Sequence, residues 1–242
     1  MATALLVALC AGFYSCGGDN DETPLNNDDN SNISNENGNS VIVGTTAMVQ
    51  LKKVGALSTL ISDNVKFNIT DLRIMGDING DDIALIREMA GADVKGNETN
   101  GKLANLNLSN ANLVNGGIYY TGITQEVSSS NELWQYMFYK CGSLTSIVLP
   151  NNIAHIGAFA LSYSGITSFT IPNNIQTIGN EAFANCTKLE SIVIGNSIVS
   201  AAENMLDGCI NLKKIRMLSD NSTYTIEGKI FQNGMLFNES KS

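Results

Sequence analysis

Four oxygen-bearing side chains stand at a spacing that can do chemistry. Asp77, Asn79, Asp81 and Glu88 occupy positions 1, 3, 5 and 12 of a loop, the pattern in which a calcium-binding loop surrounds a hard cation with oxygen. Position 6 is Asp82, where such a loop needs glycine for its sharp turn. The stretch ahead of it, Phe67 to Ile74, alternates as a strand rather than an entering helix. A helix over Ile83–Ala90, capped by Asp81 or Asp82 and closed by Gly91, accounts for the same residues. That plainer reading is preferred, so no metal and no cofactor is assigned. A calcium-dependent scaffold built on Asp77–Glu88 is the alternative.

Other reactive types are sparse. The single histidine, His155, lies between Ile153 and Ile156 and so on the outer surface. One histidine excludes multi-histidine metal sites and most histidine-dependent catalysis. Cys141, Cys186 and Cys209 share one repeat position. Cys186 and Cys209 are either stacked closely enough to bond, leaving Cys141 unpaired, or all three are buried free thiols, the preferred reading. Tyr119 and Tyr120, with Trp134 nearby, sit where the repeat is interrupted between Leu113 and Leu133. They suit glycan stacking or a protein hot spot, or they merely bridge two coils, with Trp134 capping the core. No nucleophile–base pair and no convergent carboxylates are found, so the chain is not read as an enzyme.

The elements that must position these residues follow from a repeat. Leu144-Thr-Ser-Ile-Val-Leu-Pro-Asn-Asn-Ile153 recurs from Ile166, again from Leu189 as Leu-Glu-Ser-Ile-Val-Ile-Gly-Asn-Ser-Ile198, and from Leu212, at intervals of 22, 23 and 23 residues. Leu103-Ala-Asn-Leu-Asn-Leu108 and Ile69-Thr-Asp-Leu-Arg-Ile74 keep the spacing, for six copies in all. In an extended strand the fourth and sixth positions share a face. Stacked coils then build a parallel ladder with an inner wall of Leu, Ile, Phe and Met. A second apolar triplet closes each coil, as in Ile153/Ile156/Leu161 and Ile175/Ile178/Phe183. The expected fold is an α/β leucine-rich-repeat solenoid of about six coils, with short helices and turns on its convex side. Its outward strand positions include Asn107, Ser146, Val148, Ser168, Thr170, Ser191 and Val193, which form a small, polar, nearly uncharged face open to a ligand.

The 242 residues hold 43% apolar side chains, enough for a real core, and a net charge of −9. An acidic chain is a poor partner for nucleic acid or anionic membrane. Residues 1–50 carry six acids and no Lys or Arg. Ala2 to Tyr14 is almost wholly apolar or small, has the length of a signal-peptide core and is too short to span a bilayer. With Ser15 and Cys16 it resembles a bacterial lipobox, which implies acylation at Cys16 and anchoring by lipid only. The domains expected are a lipoprotein signal segment over 1–16, a disordered Asn/Asp-rich tether over 17–40, and an N-terminal cap over 41–68. The solenoid follows over 69–224, clearest at 134–218 and irregular at 114–133, with a hairpin-like cap over 225–242.

Ile178-Gly-Asn-Glu-Ala-Phe183-Ala-Asn-Cys186-Thr-Lys-Leu189 is similar to the repeat unit of BspA-like leucine-rich-repeat proteins. So is Met137-Phe138-Tyr-Lys-Cys141-Gly-Ser-Leu144 with the strand that follows. Asn79 to Gly91 and Leu106 to Asn112 resemble the N-terminal part of the same surface lipoproteins of Gram-negative anaerobes. The resemblance implies a secreted or surface recognition module, used in adhesion, with no catalytic residues. The acids after Cys16 (Asp19, Asp21, Glu22) resemble the signal that sends such lipoproteins to the outer face of the outer membrane. The partner implied is a host or neighbouring-cell protein or glycan met by a monomer. A periplasm-facing structural lipoprotein is the alternative.

Overall fold

The computed structural model describes residues 30–122, 130–202 and 204–218, and the backbone of 223–225. The expectations for Cys16, for the signal segment and for the C-terminal cap over 226–242 lie outside the described residues.

The chain opens as an antiparallel meander, β1 (Asn30–Asn35), β2 (Gly38–Val43) and β3 (Thr46–Leu51), and then turns parallel at β4 (Asp71–Ile78), β5 (Asn105–Leu113) and β7 (Ser146–Val148). Leu72 pairs with Ala47 and Leu106, and Leu106 with Ile147, so equivalent repeat positions stand side by side. A second parallel ladder continues through β9 (Ser168–Thr170), β11 (Ser191–Ile194) and β13 (Lys214–Met217), ending in β14 (Thr223–Thr225), which is antiparallel. The two ladders adjoin between β7 and β9, where the repeat is one residue short. There the Thr167 N–H donates to the Thr145 carbonyl at 3.3 Å and the Gly165 N–H to the Cys141 carbonyl at 3.2 Å.

The tether expected over 17–40 gives way to strand at Asn30. Asn and Ser disfavour strands as isolated residues. Here β1 lies in full register on β2, and Ile33 packs against the core. Ser40 turns inward and donates its hydroxyl to the Leu60 carbonyl at 2.7 Å, so the cap begins eleven residues earlier than the sequence pattern marks it.

Each clear coil has three sides. The inward strand positions Ile147, Leu149, Phe169, Ile171, Ile192 and Ile194 are buried, as alternation requires. Short strands β6 (Glu132–Leu133), β8 (His155–Ile156), β10 (Thr177–Ile178) and β12 (Ser200–Ala201) form the second side. The Asn-Asn pairs between these sides are bracing residues. Asn151, Asn152 and Asn174 donate their side-chain amides to backbone carbonyls of the preceding coil or loop.

The third side is a run of turns with its own ladder. The N–H groups of Tyr136, Phe138 and Lys140 donate to the carbonyls of Ala158, Ala160 and Ser162, and those of Phe159, Leu161 and Tyr163 to Asn180, Ala182 and Ala184. Left-handed backbone at Tyr136, Lys140, Phe159, Tyr163, Glu181 and Asn185 turns these amides toward the next coil. Under them Phe138, Leu161, Phe183 and Leu206 fill the core. Cys141, Cys186 and Cys209 are buried free thiols. Cys186 and Cys209 donate to the carbonyls of Leu161 and Phe183, each at 3.1 Å. Burial pushes the Cys141 thiol up to about 11, and the neighbouring Cys186 together with burial raises the Cys209 thiol.

The only α-helix among the described residues, α1 (Gly80–Met89), packs on the first coils. Its cap is Asn79 rather than Asp81 or Asp82. Asn79 accepts from the N–H groups of Asp81 and Asp82, while the Asp82 carboxylate reaches back to the Asn79 N–H at 3.1 Å. That carboxylate also holds the N–H groups of Gly55 and Leu57, at 2.8 and 2.9 Å, and so ties the helix to the cap. Gly91 ends the helix at φ +102°, as its position predicts.

Candidate recognition surface

The outward strand positions form an open face. Ser146, Val148, Ser168 and Thr170 are exposed, and Asn107, Ser191 and Val193 are half-buried. Asn107 pairs with Val148 across β5 and β7, and Thr170 with Val193 across β9 and β11. Asn107 turns its carbonyl oxygen onto the N–H and hydroxyl of Ser109. The face carries no described cluster of titratable groups that would make it reactive.

Two of the aromatic candidates are interior residues. Tyr119 is 4% exposed, stacks on Trp134 at 5.3 Å, and donates its hydroxyl to the Gln135 carbonyl at 2.8 Å. Trp134 is 1% exposed. Both seal the apolar core at the first clear coil, so neither can stack on a ligand. Of the two readings the sequence allows, ligand stacking fails for this pair and core capping by Trp134 holds, because residues beside a break in the repeat still have to cover the coil end.

Tyr120 belongs to a different set. It is partly exposed and stacks on Tyr136 at 5.1 Å, which in turn stacks on Phe159 at 4.7 Å with an interplanar angle of 1°. Tyr139 lies edge-on to Tyr120 and Tyr136, and Tyr163 edge-on to Tyr139 at 5.7 Å. The five rings form one ridge along the turn side, with Tyr163 48% exposed. The Lys140 ammonium lies 5.5 Å from the Tyr139 ring, and the buried Arg87 guanidinium 5.1 Å from Tyr120. Tyr136 and Tyr139 are raised above the usual phenol range by burial and by neighbouring tyrosines and Glu181, so these two phenols stay neutral in physiological water.

Tyr136, Phe159 and Tyr163 hold φ between 57 and 60°. Bulky residues avoid that region at about 1–2 kcal/mol each. Four of the ridge residues, Tyr136, Tyr139, Phe159 and Tyr163, were missed by sequence reasoning. The available signal was aromatic residues recurring at repeat spacing, 23 residues apart in Tyr136/Phe159.

On the second side, Glu132, His155, Thr177 and Ser200 stand in register. His155 is half-buried rather than fully solvated, and its Nδ1 lies 2.8 Å from the Thr177 hydroxyl. Burial raises the Glu132 carboxyl, and nearby His155 partly offsets this.

The four oxygen residues of the calcium pattern are not brought together. Asp77 accepts from Asn112, Asn79 caps α1, Asp81 accepts from the Ile118 N–H, and Glu88 pairs with Lys66 at 3.0 Å. The helix cap uses the spacing that a cation would have used. No group of three or more His, Cys, Asp or Glu side chains is placed to hold a metal among the described residues. No helix among them is long and apolar enough to cross a membrane.

Residues 121–237 match the BspA type leucine rich repeat region, whose model spans six copies. Among solved structures the chain is similar to a leucine-rich repeat protein from Eubacterium ventriosum, at 14% identity over 80% of this chain and 45% of that one, with a TM-score of 0.44. It is also similar to a leucine-rich repeat protein of T. pallidum, at 16% identity over 81% and 71%, TM-score 0.34. A third, from Bacteroides ovatus, gives 16% identity over 81% and 71%, TM-score 0.33. The chain therefore spans less than half of the E. ventriosum protein. No curated protein matches it.

Proposed function

Through residues 121–237 the chain belongs to the BspA-type leucine-rich-repeat family, and from that membership we propose that it is a non-enzymatic lipoprotein displayed on the bacterial surface, where its solenoid recognises a host or neighbouring-cell protein or glycan in adhesion. The observation that carries the reading is the aromatic ridge. Five partly exposed rings run along one side of a rigid stack, three of them on left-handed backbone that Asn or Gly would adopt more cheaply. Aromatic side chains with polar tips are what recognition surfaces use for tight contact at low entropic cost. The strand face from Asn107 to Val193 supplies a second, flatter surface beside it. Cys16 with its apolar leader supports lipid attachment, and the acids that follow support export to the outer face.

Protease shaving of intact native-host cells tests the display. Peptides from residues 50–242 are expected in the supernatant while a periplasmic control stays inside. Complete protection in cells shown to express the protein would sink the surface reading and leave a periplasm-facing structural lipoprotein.

A further inference from the structure

The ridge has a chemistry specific enough to name a ligand class, given the recognition reading on which it rests. Tyr120, Tyr136, Tyr139 and Tyr163 each bring a phenol hydroxyl to the turn side, and none of these hydroxyls donates a hydrogen bond to a described residue. Tyr119 next to them does donate, to Gln135, and is buried. The ridge is thus a mixed surface of ring carbons and unused hydroxyls rather than a leaked piece of core.

Its limits are also set. The register that places Tyr136 and Phe159 continues to Glu181, and the one that places Lys140 and Tyr163 continues to Asn185 and Gly208. The rings therefore occupy the first two clear coils and stop. Lys140 flanks them on one side and Glu181 on the other, so the ridge is close to neutral on a chain of net charge −9.

We infer that this ridge binds a neutral glycan, whose pyranose C–H surface packs on the exposed ring carbons, Tyr163 foremost, and whose hydroxyls pair with the four phenols. Neutral sugars present the same mixture of C–H surface and hydroxyls. An acidic glycan would need more cations than Lys140.

The whole chain, kept in mild detergent, is run in native gels containing a neutral β-glucan, a galactomannan, or mucin stripped of sialic acid and sulfate, against a gel without polymer. Retardation by at least one polymer is expected. The half-exposed Tyr163 tolerates truncation, so Tyr163→Ser together with Tyr139→Ser should weaken the retardation at least fivefold without changing Tm, while Val148→Ser on the strand face leaves it intact. Saturation-transfer NMR with an oligosaccharide of the retarding polymer reads the contact without any variant: the sugar C–H protons should receive magnetisation from aromatic protons.

Absence of retardation in all three gels overturns the inference, as does retardation that survives the double variant or lacks aromatic transfer. Binding of a host protein through the same tyrosines with no glycan retained also overturns it, while leaving the recognition reading in place. A solenoid protected from shaving that still binds glycan overturns surface display alone.

Discussion

Arg87 takes its guanidinium to zero exposure and meets backbone there. Its Nη1 donates to the Tyr136 and Met137 carbonyls at 3.0 and 3.1 Å, and its Nη2 to the Asp93 carbonyl at 3.0 Å. One side chain on α1 therefore satisfies the first turn of the repeat array and the loop after the helix. Arg87→Met keeps the volume and removes the donors, leaving buried acceptors at about 1–3 kcal/mol each. A lower urea midpoint with an unchanged m-value is the expected result, and near-native stability would show that water replaces the arginine. Glu132 gives a pH-dependent counterpart. Its folded pKa is raised by burial, so its contribution to stability declines as pH rises from its ordinary value, about 4.3, through the raised one. Glu132→Gln should equal the native chain near pH 4 and be at least as stable at neutral pH. Melting curves across that interval check the sign, and a variant weaker at neutral pH would show that attraction to His155 outweighs burial.

At the level of elements, the turn side stores strain that the strands do not. Lys140 sits at φ 62°, and Gly208 already holds the equivalent position at φ 73°. Relief of left-handed strain, about 1–2 kcal/mol, outweighs the entropy lost at a new glycine, about 0.5–1 kcal/mol. Lys140→Gly should therefore stabilise the chain, read as a higher urea midpoint. The strand positions behave as their spelling says: Ile147, Phe169, Ile192 and Ile215 alternate and are buried. Their spacing was legible because period-2 alternation and period-23 recurrence coincide there. The turn side was not legible, because left-handed backbone at Tyr136 or Tyr163 has no signature in residue type. A reader of sequence expects glycine there. Tyr119 and Trp134 stayed open between core and ligand for a related reason: composition marks an aromatic pair, and only three-dimensional stacking tells whether it faces in or out. Asn79, Asp81 and Glu88 satisfied two patterns at once, and the helix cap prevails because Asp82 also closes onto Gly55 and Leu57.

Across the whole molecule each coil touches mainly its neighbours, so stability is distributed along one dimension. Hydrogen exchange should be slowest through β4, β5 and the core beneath Trp134, where α1 adds a second layer, and faster toward β12 and β13, where Ile198 and Ala201 are only half-buried. Exchange followed by mass spectrometry reads this gradient directly, and uniform protection along the array would contradict it. Strand direction reverses toward both limits of the described residues. A stack of parallel coils is its own template, since the donors on its last strand match the acceptors on its first, and such an object can polymerise head to tail. Between β2 and β3 and again between β13 and β14 the chain runs backward, so the first and last described strands do not repeat the pattern of an internal coil. The first described strand reads Asn-Ser-Asn-Ile-Ser-Asn, a polar margin that water solvates well. Reversed strands of this kind interrupt the template and oppose head-to-tail growth into fibres.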